Sequence, residues 1–319
     1  MINPKSIFQL IEKAESRIRQ HIAPSPLVMS KASNANNIYL KLENKNPTGS
    51  FKIRGSLNKV MALAESGKPV NVVTASTGNH GMGVANALQI TGGKGTIFLP
   101  ETAVKAKVDK LKKFDVDLEF FGEDSLKAEV YARAQAAEQE IDWISPYNDP
   151  EIIAGQGTIG IELLEDLENI DKVFITVGGG GLISGIASYL KSVKPTIRII
   201  ACQPANSPEM FLSIEKGEII DEDGFPPTLS DGSAGGLEPD AITFPICQEL
   251  IDDFILIDEG NIAKAIKQAW EMDQQKIEGA AGVALAACLQ YQDQCELENH
   301  VVIICGGNIV DEVWEGIIK

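Results

Sequence analysis

Apolar residues in this chain fall into short β-branched runs, each followed by a longer stretch with helical spacing. The runs are "NVVTAS" (71–76), "GTIFLP" (95–100), "VFITVG" (173–178), "IRIIAC" (197–202), "FILID" (254–258) and "VVIICGG" (301–307). Several barely alternate between apolar and polar, the pattern of strands buried on both faces of a parallel sheet. Segments 104–113, 124–139, 181–193 and 259–274 carry the periodicity of helices that cover such a sheet. The rhythm predicts a doubly wound α/β architecture. Ligands bind such folds beyond the carboxyl ends of the strands. Three glycine-rich loops follow strand-like runs: "ASTGNHG" (75–81), "VGGGGLISG" (177–185) and "CGGN" (305–308). The one long irregular stretch, "DEDGFPPTLSDGSAGG" (221–236), reads as a loop with several turns.

Composition narrows the class. With 319 residues, 44% hydrophobic and 23% charged, the chain can build one large or two ordinary domains with real cores. Twenty-eight Lys and Arg stand against 45 Asp and Glu, a formal net charge of −17. That balance argues against nucleic acid or an anionic membrane surface as a partner, while leaving room for a locally positive ligand pocket. No run of about eighteen apolar residues predicts a transmembrane helix. The N-terminal "MINPKSIFQLIEKAESRIRQ" has amphipathic spacing in place of a signal peptide's apolar core. Cys202, Cys247, Cys288, Cys295 and Cys305 are scattered without CxxC spacing, which suits free thiols in a reducing cytoplasm.

Candidate chemistry lies in the loops. Gly178, Gly179, Gly180 and Gly181 directly precede a helical pattern, so the backbone can turn several N–H groups toward a phosphate at a helix start. A plain flexible turn is the alternative, and the loop alone does not name a ligand. Ser76, Thr77, Asn79 and His80 open another helix, where hydroxyls and N–H groups can hold a carboxylate; Ser76 can equally be an N-cap. His21 and His300 have no evident Asp or Ser companions, so a Ser-His-Asp hydrolase is poorly supported. Cys305 ends a β-prone run without the basic neighbours of a reactive thiolate. Lys52, in "NKNPTGSFKIRGS" (44–56), follows a turn at Pro47 and Gly49 and is flanked by Phe51 and Ile53. Lysine is ordinarily a solvated surface charge. A desolvated lysine facing a phosphate-binding loop can instead lose its proton and form a Schiff base with a carbonyl cofactor. Spacing alone leaves both readings of Lys52 open.

The motifs "KLENKNPTGSFKIRG", "ASTGNHG", "IAGQGTIGIE" and "VGGGGLISG" occur in this order, and as a set they are specific. Together with the C-terminal "CGGN" they make nearly the whole chain resemble the serine/threonine dehydratase and serine racemase group. These are fold-type II pyridoxal-phosphate enzymes with two domains, each a mainly parallel open sheet flanked by helices. The resemblance implies a large cofactor-binding domain of residues 1–50 and 148–319, and a small mobile domain of residues 51–147. It implies that Lys52 holds pyridoxal 5′-phosphate as a Schiff base, with Phe51 near the ring and Asn79 on the ring's 3-oxygen. Gly178 to Gly181 and Leu182 would wrap the phosphate, and Cys305 would face the pyridine nitrogen. Ser76, Thr77, Asn79 and His80 would receive the substrate carboxylate.

The expected activity is that of a threonine/serine dehydratase, an ammonia-lyase releasing a 2-oxo acid from a β-hydroxy amino acid. The freed Lys52 amine would take the Cα proton, and the cofactor phosphate would protonate the departing hydroxyl. Alternatives under the same resemblance are a serine or aspartate racemase, with Thr77 delivering a proton on the face opposite Lys52, and a dehydratase of threo-3-hydroxyaspartate. A non-catalytic binder of a phosphorylated ligand is a third reading, from a different class. Relatives with a divalent-cation site use two acids after the strand that here reads "IIACQPANSPEM"; Gln203 replaces the first and Glu209 keeps the second, so no metal is expected. Ending at residue 319, the chain is expected to lack the regulatory domain of biosynthetic threonine dehydratases, and with it feedback by isoleucine. The implied partner is a small amino-acid substrate, the implied assembly a homo-oligomer (dimer or tetramer), and the implied location the cytoplasm.

Overall fold

The computed structural model describes residues 2–32, 37–222, 224–291 and 297–319. Cys295 lies outside the described residues. Strands β1 (Leu27–Met29), β2 (Asn37–Leu42), β3 (Asn71–Ala75), β4 (Lys94–Leu99) and β5 (Asp117–Phe120) come from the first half of the chain. They are followed by β6 (Asp142–Trp143), β7 (Lys172–Thr176), β8 (Arg198–Pro204), β9 (Asp253–Ile257) and β10 (Asn299–Ile304). The helices of the first half are α1 (Pro4–Ile18), α2 (Lys52–Ala64), α3 (Asn79–Thr91), α4 (Lys105–Leu111), α5 (Ser125–Glu138) and α6 (Pro150–Asp166). The second half contributes α7 (Gly181–Val193), α8 (Glu209–Lys216), α9 (Thr243–Leu250), α10 (Glu259–Asp273), α11 (Gly279–Gln290) and α12 (Asp311–Ile318).

Two sheets form. The larger runs β1-β2-β10-β7-β8-β9, parallel except for β1, and the smaller runs β5-β4-β3-β6, parallel throughout. All six apolar runs singled out above are strands, and the four helical segments are α4, α5, α7 and α10 within a residue or two. The strands of the smaller sheet all fall between residues 71 and 143, while the larger sheet draws on both chain ends. In β7 every residue is buried, as expected of a central parallel strand covered on both faces.

A layer of helices stands between the sheets. Ile7 and Ile11 of α1, Ile53 and Leu57 of α2, Val84 and Leu88 of α3, and Ile152 and Ile153 of α6 bury their side chains together in one cluster. Burying each such side chain contributes about 1.5–3 kcal/mol. The layer carries α2 and therefore Lys52. It also contains a run of buried charge. Arg54 is fully buried and reaches Glu43 at 2.7 and 2.9 Å and Glu162 at 2.6 and 2.8 Å. Lys41 of β2, equally buried, reaches Glu162 at 2.8 Å and the Ser25 carbonyl at 2.7 Å. Burial alone would raise the Glu162 carboxyl, but Arg54 and Lys41 override it and hold it below its usual range. The network ties α2 to α6 and to the short 3-10 turn Glu43–Lys45 that follows β2.

Candidate active site

Three connections converge at the carboxyl ends of the strands. Phe51 N–H donates to the Cys305 carbonyl at 3.0 Å, and Gly307 N–H donates to the Gly49 carbonyl at 2.9 Å. The chain before Lys52 is thus laced to the segment that leaves β10. Gly49 makes the turn at φ +74°, and a Cβ there would come within 2.9 Å of Asn308 Nδ2. Because β10 pairs with β7, Cys305 also lies beside the start of the tetraglycine loop.

Helices α1, α5, α6 and α10 begin with side-chain caps from Asn3, Asp124, Asp149 and Asp258. α3 and α7, like most of the other helices, have no side-chain cap; they begin at Gly78 and Gly180 in the glycine-rich loops, where their first N–H groups can face a ligand. Ser76 does not cap α3: its Oγ accepts the Gly78 N–H at 3.1 Å within the loop. Gly180 sits at φ +85°, and a Cβ on Gly179 would lie 2.4 Å from Cδ1 of Tyr147. Leu182 is buried behind the loop. Glycine at these positions is therefore dictated by backbone shape and by the Tyr147 ring.

Lys52 opens α2, and its Nζ donates to the Pro146 carbonyl at 2.7 Å and stands 5.2 Å from the Phe51 ring centre. Burial lowers the pKa of the amine from 10.5 to about 8, against the opposing pull of the Glu278 carboxylate. Near neutral pH a useful fraction of the amine is uncharged, which the chemistry of a nucleophile or base requires. Cys305 is pushed the other way. Burial first, and then the Glu278 carboxylate, raise its thiol well above the ordinary value, so it stays protonated and neutral.

Asn79 is held on both sides of its amide. Its Nδ2 donates to the two oxygens of Glu278 at 2.9 and 3.0 Å, and its Oδ1 accepts from Asn308 Nδ2 at 2.8 Å. His80 donates from Nε2 to the Ile144 carbonyl at 3.1 Å, which fixes the tautomer. Burial and then the nearby Lys52 charge bring its pKa to about 3, so the ring is neutral. That bond uses Nε2–H alone, and Nδ1 is buried without a hydrogen-bond partner among the described residues. Ser76 and Thr77 line a cavity of about 200 Å³ together with Pro146.

Sequence reasoning passed over several participants. Glu278, directly before α11, is 7% exposed and supports both Asn79 and the Asn308 N–H. Burial raises its carboxyl. Its only sequence signal is an acid opening an otherwise apolar helix. Pro146 and Tyr147 follow the two-residue strand β6, too short to stand out. Glu238, in a stretch to which no role was given, accepts from Arg133 at 2.6 and 3.0 Å and from Asn148 at 2.8 Å. Its N–H donates to the Tyr147 hydroxyl at 2.7 Å.

A family profile described as pyridoxal-phosphate dependent enzyme matches residues 18–306. The chain belongs to that family. The L-threonine ammonia-lyase of Thermotoga maritima is 39% identical over 284 residues, covering 88% of this chain and 70% of the relative. Among solved structures, the processed form of threonine deaminase isoform 2 from Solanum lycopersicum superposes with a TM-score of 0.92 at 32% identity, covering 98% of this chain and 92% of that one. Maize serine racemase gives 0.90 at 30% identity, covering 97% and 96%. The fold is that of the fold-type II pyridoxal-phosphate enzymes, and the cofactor is pyridoxal 5′-phosphate.

The residues present fit that group: an amine with a loosened proton, a glycine cradle at an uncapped helix start, and a neutral thiol. They fit a divalent cation poorly. Gln203 Oε1 already accepts the Phe211 N–H at 2.8 Å, and its Nε2 donates toward the Ser207 carbonyl at 3.5 Å. Glu209 takes the Ser207 hydroxyl at 2.7 Å. Among the described residues no group of three or more His, Cys, Asp and Glu side chains is placed to hold a metal, and no helix is long and apolar enough to cross a membrane.

Proposed function

We propose that the protein is an ammonia-lyase that removes water and then ammonia from L-threonine or L-serine, leaving a 2-oxo acid. One observation carries the reading: the Lys52 amine, its pKa brought to about 8, stands where the three loops meet. The names of the relatives give the reaction type. Bound pyridoxal phosphate supplies an aldehyde for amines and an electron sink for charge developing at Cα.

In this reading Lys52 would hold the cofactor's aldehyde carbon, and its amine, when free, would be the base for the Cα proton. Phe51 would pack beside the ring, and Asn79, aligned by Glu278 and Asn308, would turn an amide hydrogen to the ring's 3-oxygen. Gly178, Gly179, Gly180, Gly181 and Leu182 offer backbone N–H groups to the phosphate. The neutral Cys305 thiol would face the ring nitrogen without holding a proton on it. Ser76 and Thr77 hydroxyls, with the backbone N–H groups of Asn79 and His80, orient the substrate carboxylate. Thr77 is the second group assigned to the Cα proton, and its loss should suppress any racemisation more than elimination. No metal takes part.

We further assign residues 51–147 to a small mobile unit and residues 1–50 and 148–319 to the larger one, in a cytoplasmic homo-oligomer, a dimer or tetramer. The confinement of the small sheet to residues 71–143 supports that division. The deciding experiment is 2-oxo acid release from L-threonine and L-serine by the holoenzyme and by Lys52→Ala. Turnover by the wild type and none by the variant, with borohydride trapping the cofactor only on the wild type, is the expected result. A Lys52→Ala protein that kept a trapped cofactor and full turnover would overturn the assignment.

A further inference from the structure

The cavity beside Ser76, Thr77 and Pro146 has an outer wall that the reading above does not use. Its volume of about 200 Å³ is that of roughly six or seven waters, room for a small side chain. Phe98, Ser125 and Glu129 complete the wall, and Glu129 is the one charged side chain among the described lining residues. Glu129 projects from α5, 30% exposed, and accepts from Arg133 at 2.7 and 3.1 Å. Arg133 does not cancel it. The same guanidinium reaches Glu238 at 2.6 and 3.0 Å and lies over the Trp143 ring, 4.9 Å from its centre. One cation thus serves two carboxylates, and the cluster keeps one net negative charge.

Pro146, the residue whose carbonyl holds the Lys52 amine, also lines the cavity, which therefore runs between that residue and Glu129. Resting on the lyase reading, we propose that Glu129 is a specificity-determining residue that rejects amino acids carrying a second carboxylate. A methyl or a hydrogen on Cβ, as in threonine and serine, meets Phe98, Ser125 and Ala128 there. The extra carboxylate of 3-hydroxyaspartate or aspartate meets a like charge with no lysine, arginine or histidine on the wall to offset it. Like charges a few ångströms apart repel even at a half-buried wall where solvent screens part of the interaction, and exclusion by repulsion is a general route to specificity.

The experiment has two arms, each on the wild-type holoenzyme and Glu129→Gln, which keeps a hydrogen bond to Arg133. The first compares kcat/KM for L-threonine and threo-3-hydroxyaspartate. The second titrates the cofactor's absorbance band with L-alanine and L-aspartate, which lack the leaving hydroxyl. We expect the wild type to favour threonine and alanine, and Glu129→Gln to shift both ratios toward the dicarboxylate by about tenfold. A wild type that takes the dicarboxylates equally well, or a variant with unchanged ratios, overturns the proposal. If no hydroxy amino acid is turned over, the lyase reading fails alone and the alanine and aspartate titration decides the role of Glu129.

Discussion

The amide of Asn79 and the carboxylate of Glu278 meet at 2.9 and 3.0 Å, joining the first residue of α3 to the residue that precedes α11. Glu278 is buried and Asn79 half-buried, and Glu278 also takes the Asn308 N–H at 3.1 Å. Glu278→Ala would leave these donors without a partner, at about 1–3 kcal/mol each. We expect a lower Tm and a displaced cofactor absorbance band, with Glu278→Gln milder on both counts. Thermal denaturation and absorbance spectra of the two variants check this.

Lys52 makes uptake of the cofactor depend on pH. The free amine is the reactive form, and its pKa lies at about 8. Covalent incorporation into the apoprotein should accelerate as pH rises through that value and level off above it, whereas an ordinary lysine would keep gaining past pH 10. The apoprotein's stability follows the same sign. Between about 8 and 10.5 the unfolded chain binds a proton that the folded chain does not, so stability rises with pH across that window. The cost of burying the charged amine is fully present below it.

Gly179→Ala places a methyl 2.4 Å from the Tyr147 ring. Either the loop or the ring must move, and both border the phosphate cradle. Cofactor affinity should fall at least about tenfold while the protein still folds, as read by cofactor titration beside circular dichroism.

Removing one partner from the buried Arg54, Glu43 and Glu162 cluster strands a charge. Glu162→Leu should destabilise by about 3–5 kcal/mol in urea denaturation. Since the folded-state pKa of Glu162 is depressed, the wild type keeps this contribution above the carboxyl's unfolded value of 4.5 and loses it as pH falls further. The variant's deficit should therefore shrink in acid.

Chelation should change nothing. With Gln203 turned to Phe211 N–H and Ser207 carbonyl, EDTA and added Mg²⁺ or Ca²⁺ are expected to leave both Tm and turnover of the wild type unaltered. A shift of several degrees with either treatment contradicts the expectation.

The parts legible in the sequence are those whose signal is local. β7, β8 and β10 are unbroken apolar runs, and α7 follows its glycines with a clear apolar stripe. β2 escaped notice because "NIYLKL" carries Lys41, whose charge is accommodated by the Ser25 carbonyl and by Glu162 and Asp166, the two acids lying far away in sequence. Likewise β5 is an exposed edge strand and β6 has two residues, so neither has an apolar run to display. α11 is buried over nearly its whole length and lacks the polar face that marks an amphipathic helix. Within the site, Lys52 and the loops could be read as motifs. Glu278, Tyr147 and the Arg133–Glu238 pair could not, because their meaning lies in which distant backbone they meet.

The lacing of residues 49–51 to 305–307 bears on how the enzyme comes into being. Asn308 donates to the Thr48 carbonyl across 260 positions of sequence. The small sheet, confined to residues 71–143, can pair its strands while synthesis is under way. The backbone just before Lys52, made early, gains these partners only when residues 305–308 have been made. A nascent chain that stops before residue 305 can thus hold much of the architecture while the segment bearing Lys52 still lacks the contacts that set it in the site, so cofactor capture is expected to require residues 305–308.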